Sequence, residues 1–147
     1  MLRLLKKLMY FFQNILKKEH EEFKKNTLDI NEVIVLNVMD KLSNFEKNQE
    51  FLKQVSLHTL ARKSQTNPKY LSKIINIHYE KNFSSYINDL RIKYLLKELQ
   101  KNDELKTYTV KALAKKLGFT STEVFSKAFK KHTGINPSTY LHSLNHR

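Results

Sequence analysis

TVKALAKKLGFTSTEVFSKAFKKHTGINP, residues 109–137, is the stretch that decides the fold. Val110, Leu113, Ala114 and Leu117 recur at the spacing of one helical face. Thr109, just ahead of them, is a favoured N-cap. Gly118 then interrupts the pattern where a tight turn calls for a residue tolerant of positive φ. Thr120 and Glu123 stand at capping-box spacing, and Phe125 and Phe129 give the next helix an apolar face. Gly134 ends that helix, and Asn136-Pro137 opens a last short one running to about Leu144. Two short helices joined by a tight turn make a helix-turn-helix.

The same design stands earlier in the chain. Leu60-Ala61-Arg62-Lys63 precedes Leu113-Ala114-Lys115-Lys116 by 53 residues, and Tyr70-Leu71-Ser72-Lys73 precedes Val124-Phe125-Ser126-Lys127 by 54. The copies therefore differ by one residue in the turn. In the first, Ser56 caps a helix with Leu57, Leu60 and Ala61 inside. Gln65-Thr66 turns, and Asn67-Pro68 starts a helix that buries Leu71, Ile74 and Ile75. Two units are an array of two, too few for a solenoid.

Between the copies, residues 83–101 read as one long helix with Tyr86, Ile87, Leu90, Tyr94, Leu95 and Leu99 as its stripe, closed by Asn102-Asp103-Glu104. Upstream, a helix is expected from about Ile30 to Phe45, capped by Asp29 with Glu32 at box spacing, and presenting Val35, Met39, Leu42 and Phe45. Leu2, Leu5, Met9, Phe12 and Leu16 make a further amphipathic helix, with Lys6, Lys7, Lys17 and Lys18 between them. Its pattern fails at Glu19, so residues 19–25 read as a charged linker. The fold class is thus all-α: two helix-turn-helix subdomains joined by a long linker helix, with an N-terminal helical extension. The expected division is residues 1–27 for the extension and linker and 28–147 for the rest, with helix-turn-helix units at about 55–80 and 109–132.

Composition narrows the function. The 147 residues carry 27 Lys and Arg against 14 Asp and Glu, a net charge of +13. Residues 55–147 hold 17 of the basic and 6 of the acidic residues, an excess of +11 in the module alone. Such a domain favours a polyanion, either nucleic acid or an acidic membrane surface. With no cysteine, thiolate metal sites, disulfides and thiol nucleophiles are excluded. No Gly-rich phosphate loop or nucleophile–base constellation points to an enzyme, and no cofactor is implied. His20-Glu21-Glu22 lacks the second histidine of a zinc-protease helix, and His142 and His146 are only two ligands at a fraying end. His58, His78 and His132 read as surface or boundary residues. The apolar run Leu8-Met9-Tyr10-Phe11-Phe12 is far shorter than the ~20 residues of a spanning helix. A soluble, cytoplasmic chain is expected.

A helix that reads DNA needs an apolar face for its own domain and a polar face for base edges. The second helix of each unit has both. Its outward residues are Lys69, Ser72, Lys73 and Asn76 in the first copy, and Thr122, Glu123, Ser126, Lys127 and Lys130 in the second. Lysine donates to guanine, asparagine pairs with adenine, glutamate accepts from cytosine, and Ser or Thr lets the backbone come close. A solvated helix face explains any one lysine, but not the same Ser-Lys pair at the same place in two copies. A membrane-surface or interaction module anchored by the N-terminal helix is the competing reading. RNA is disfavoured, since no exposed aromatic platform for stacking is evident.

At these residues the chain resembles the DNA-binding domain of AraC-type transcriptional regulators. The resemblance covers about Val55 to Leu144 and is most specific in Leu113–Phe119, Phe125–Lys131 and Thr133–Pro137. It implies a bilobed, seven-helix domain whose two recognition helices enter successive major-groove segments of double-stranded DNA. The family's base-contact positions fall on Lys69, Ser72, Lys73, Thr122, Glu123, Ser126 and Lys127. Arg91 matches a recurrent arginine of the linker helix, in a structural or a phosphate-contact role. Where the family often has glycine before the linker helix, this chain has Tyr79-Glu80-Lys81-Asn82, and Asn82 is expected to take the left-handed conformation. About 54 residues precede the module, too few for a ligand-sensing barrel, so the chain is expected to be a stand-alone output domain or a remnant, with no effector site evident. RNA polymerase is the expected partner of an activator, and self-association through residues 1–18 is a further expectation.

Overall fold

A computed structural model describes residues 2–26 and 31–146. Within them the chain is all helical: α1 (Leu2–Asn26), α2 (Glu32–Lys47), α3 (Leu57–Lys63), α4 (Pro68–Tyr79), α5 (Phe83–Leu99), α6 (Val110–Lys116), α7 (Thr122–Thr133) and α8 (Pro137–Asn145). Single 3₁₀ turns at Glu50–Leu52 and Asp103–Thr107 join α2 to α3 and α5 to α6.

Two cores form, and α5 belongs to both. The first gathers Val38 and Leu42 of α2, Phe51, Leu60, and Leu71, Ile74 and Ile75 of α4 around Tyr86 and Ile87 of α5. The second gathers Leu113, Leu117, Phe125, Phe129 and Leu141 around Ile92, Leu95 and Leu99 of the same helix. A helix clasped on different sides along its length cannot carry one clean apolar stripe. That is why Ile92 and Arg91 are buried although the expected stripe ran through Leu90 and Tyr94, which are half-buried. The helix stops at Leu99 rather than 101.

Two expectations about the N-terminal part change. The segment Glu19–Lys25, expected as a linker, is helical and continuous with α1. Losing the apolar pattern does not stop a helix rich in Glu and Lys, both strong helix formers. The cap of α2 is Asn31, whose side chain accepts from the Val33 amide at 2.9 Å. Asp29 and Ile30 lie outside the described residues. Val38, fully buried, carries the α2 core face together with Val35, Leu42 and Phe45, while Met39 is half-buried. Glu46 then fastens α2 to the first core: one of its oxygens accepts from Tyr79 at 2.9 Å and from Tyr86 at 2.7 Å.

Candidate nucleic-acid interface

The two helix-turn-helix units share their turn bond for bond. In α3 the amides of Ser64, Gln65 and Thr66 donate to the carbonyls of Leu60, Arg62 and Ala61. In α6, 53 residues on, those of Leu117, Gly118 and Phe119 donate to Leu113, Lys115 and Ala114. The middle residue is left-handed in both, with φ 56° at Gln65 and 82° at Gly118. Glutamine suffices in the first unit. In the second, a Cβ on residue 118 would sit 2.4 Å from the Leu52 carbonyl oxygen, so glycine is required sterically as well as conformationally.

The extra residue of the second unit falls immediately after this shared turn. There the cap of α7 is Ser121, accepting from the Val124 amide at 3.2 Å, and not Thr120 with Glu123 as a box. Thr120 is an exposed turn residue. In the first unit Asn67 caps α4 as expected, accepting from Tyr70 at 2.8 Å with Pro68 at the first helical position. Ser56 and Thr59 form a reciprocal box at the start of α3, and Thr109 caps α6.

With Leu71, Ile74 and Ile75 buried, Lys69 and Asn76 of α4 are fully outward and Ser72 and Lys73 are half-buried. Helix α1 lies against this helix. With Phe125 and Phe129 buried, α7 exposes Glu123, Lys127 and Lys130, while Thr122 and Ser126 are half-buried at the edge of the face. The opposite edge of that face holds two residues that pattern reading passed over. Val124 is 39 % exposed and Lys131 is exposed. Centring the face directly opposite Phe125 and Phe129, on Lys127, would have found both. Val124 looks like a core residue by type, but its register places it outside. An outward aliphatic group on such a helix suits a thymine methyl.

Single residues tie the units together. Arg91 is 6 % exposed, donates through Nε to the Phe51 carbonyl at 2.7 Å and through Nη2 to Lys53 at 3.0 Å, and lies over the Phe119 ring. Of the two roles the resemblance left open for it, the structural one is realised. Asp89 of α5 takes Lys81 and Lys93 on one oxygen, each at 2.8 Å, and His132 of α7 on the other at 3.1 Å. Burial pulls its carboxyl upward, but the two lysines outweigh that and hold it at about 2. His132 is thus an inter-unit contact rather than a plain surface residue. Beside it a cleft of about 530 Å³ opens between the units, bordered by Lys81, Asp89, Lys127, Lys131 and His132. Glu80 carries the left-handed conformation ahead of α5, with φ 55°. Asn82 is extended and caps α5 by accepting from Ser85 at 2.9 Å, because an asparagine side chain at that position satisfies a free helix amide.

No group of three or more His, Cys, Asp or Glu that would hold a metal occurs among the described residues. No helix among them is long and apolar enough to cross a membrane.

Comparison with known proteins converges on this arrangement. Residues 60–143 match the family model of a helix-turn-helix domain. The HTH-type transcriptional regulator YtdP of Bacillus subtilis is 32 % identical over 93 residues, which are 63 % of this chain and 12 % of that protein. The chain thus spans about an eighth of YtdP's length. The DNA-binding domain of AdpA, a transcriptional factor solved with a target DNA, shares the fold with a TM-score of 0.60 at 16 % identity, over 72 % of this chain and 90 % of that one. An AraC-type transcriptional regulator from Chromobacterium violaceum does so with 0.57 at 19 %, over 76 % and 95 %. The chain belongs to the AraC-type helix-turn-helix family of DNA-binding transcriptional regulators.

Proposed function

We propose that the chain reads a specific duplex sequence by laying α4 and α7 into successive major-groove segments. The observation that carries this is the pair of helices themselves. Each stands after the same turn, buries one apolar face completely and turns lysine and small polar groups outward. Lys69, Ser72, Lys73 and Asn76 read one segment; Thr122, Glu123, Ser126, Lys127 and Lys130 read the other, joined by Val124 and Lys131. The AdpA domain, of the same fold, was solved on its target DNA, which supports double-stranded DNA as the partner. The module's charge supplies the non-specific part of the affinity.

Selection from random duplexes, followed by substitution, tests this reading. Lys73→Ala or Lys127→Ala is expected to relax base preference at one segment only, costing roughly 1–3 kcal/mol there. Lys106→Ala is the control, since that side chain is half-buried and paired with Asp103. A uniform loss on all sequences from all three substitutions would make these lysines bulk-charge residues and sink the assigned reading roles.

A further inference from the structure

Helix α1 presents a surface that reading DNA does not use. At 100° per residue, Leu2, Met9 and Leu16 fall on one line of the helix, 73, 61 and 63 % exposed. That line is one edge of an apolar sector covering about half of the circumference, with Phe11 and Ile15, also exposed, at its far edge. The other half holds Arg3, Lys6, Lys7, Lys17 and Lys18, all exposed, with Tyr10, Gln13 and Asn14 among them. No acidic residue occurs before Glu19. Contact with α4 leaves this apolar line open to solvent.

We infer that residues 2–18 of α1 dock in the plane of an anionic phospholipid surface. Three features select that occupant. The helix is amphipathic, and every charge on its polar face is positive, the combination that seats a helix at the headgroup boundary, apolar side down. It is not apolar enough to span, so it lies on the surface rather than through it. A second copy of the chain fits poorly. A two-stranded coiled coil uses a narrow seam flanked by opposite charges, whereas here Lys6 and Lys17 border one edge of a wide apolar sector and Lys7 and Lys18 the other. Two such helices paired in parallel would set lysine against lysine, with no carboxylate to pair before Glu19. A bilayer bearing negative headgroups satisfies both faces at once. Beyond residue 18, Glu19, Glu21 and Glu22 enter, which places the end of the docked segment there.

The test uses the full chain and phosphatidylcholine vesicles with or without phosphatidylglycerol, at about 150 mM salt. Because the module is itself basic, the variant keeps every charge: Leu2→Gln, Met9→Gln and Leu16→Gln together. Flotation is expected to show the wild type on phosphatidylglycerol vesicles roughly tenfold more tightly than the variant, with little binding to phosphatidylcholine alone. Duplex affinity, measured separately, is expected to be the same for both proteins, so a failure of the DNA reading would show in that arm only. Equal vesicle binding by variant and wild type would assign the attraction to the module's charge and overturn the proposal. So would a wild type that sediments as a dimer without lipid while the variant is a monomer, because a second copy would then be the occupant.

Discussion

Gly118 and Gly134 offer an internally controlled measurement of what the second turn costs to alter. Both are left-handed, with φ 82° and 83°. A Cβ at 134 meets nothing within 4 Å, whereas one at 118 meets the Leu52 carbonyl oxygen at 2.4 Å, its carbon at 3.0 Å and Arg91 Nη2 at 3.1 Å. Left-handed strain on alanine is roughly 1–2 kcal/mol, partly offset by a less flexible unfolded chain, about 0.4–1 kcal/mol. Gly134→Ala therefore loses about 1 kcal/mol. Gly118→Ala carries the same strain plus a collision with backbone, which cannot rotate aside. Overpacking of this kind costs about 1–3 kcal/mol. If the chain at Leu52 gives way instead, it moves the Phe51 and Lys53 carbonyls that hold the buried Arg91, and a hydrogen bond to a charged group is worth roughly 1.5–3 kcal/mol. With either response the sum is about 2–4 kcal/mol. At roughly 2–4 °C per kcal/mol for a chain of this size, melting falls by about 4–16 °C for Gly118→Ala and a few degrees for Gly134→Ala. Calorimetry or thermal circular dichroism reads both. Losses equal within ~1 kcal/mol would show that the contact with Leu52 does not govern the turn.

Three other outcomes follow from side chains already placed. Burial first, and the Glu46 carboxylate second, push the Tyr86 phenol far above its ordinary range and Tyr79 to about 12, so both stay neutral donors. Tyr86→Phe should cost about 1.5–3 kcal/mol in denaturant unfolding, and an unchanged midpoint would deny the Glu46 bond its role. Ser64 is fully buried with an unpartnered hydroxyl, so Ser64→Ala should stabilise by about 1 kcal/mol; a loss of stability would mean that the hydroxyl has a partner. Asp89, held at about 2, contributes stability that is fully present above its ordinary 3.8 and lost as pH falls towards 2. Asp89→Asn should flatten the melting temperature across that acid window, and a variant that keeps the wild-type slope would place the titration elsewhere.

Much of the scaffold was legible in the sequence, because repeat, cap and period each act over a few residues. Ser56, Asn67 and Thr109 are short-range caps whose bonding amides lie three residues on, and they stand where pattern reading put them. The misplacements are also local, but of another kind. Thr120 and Ser121 are adjacent cap-forming residues, and so are Glu80 and Asn82 nearly adjacent candidates for the left-handed position. Propensity alone does not choose between such neighbours, since the choice falls to where the next helix must start to bury Phe125 or Tyr86. Residues 19–25 went astray because a polar helix without an apolar stripe looks like a linker. On α4 and α7, period and repetition mark the outward lysines and small polar groups, whereas the exposure of Val124 was hidden by its residue type.

What pattern could not reach is how one unit holds the other. Arg91 answers carbonyls of Phe51 and Lys53, 40 and 38 residues away, and Asp89 answers His132 across 43. None of these pairs has a period, a spacing or a composition that betrays it. Yet they bear directly on the relative placement of α4 and α7. Asp89 joins the turn after α4 to the far end of α7, and Arg91 fixes the Glu50–Leu52 turn against both α5 and the Phe119 ring that leads into α7. Two DNA-contacting helices on a loose tether, as proposed for α4 and α7, would gain from each other only through effective concentration. Held by a shared helix, a buried guanidinium and a carboxylate bonded to two lysines and a histidine, they are presented in one fixed geometry. Binding then needs little further ordering of the protein. The residues proposed to choose bases are therefore picked out by local chemistry, while those that set the spacing between α4 and α7 become visible only when the chain is folded.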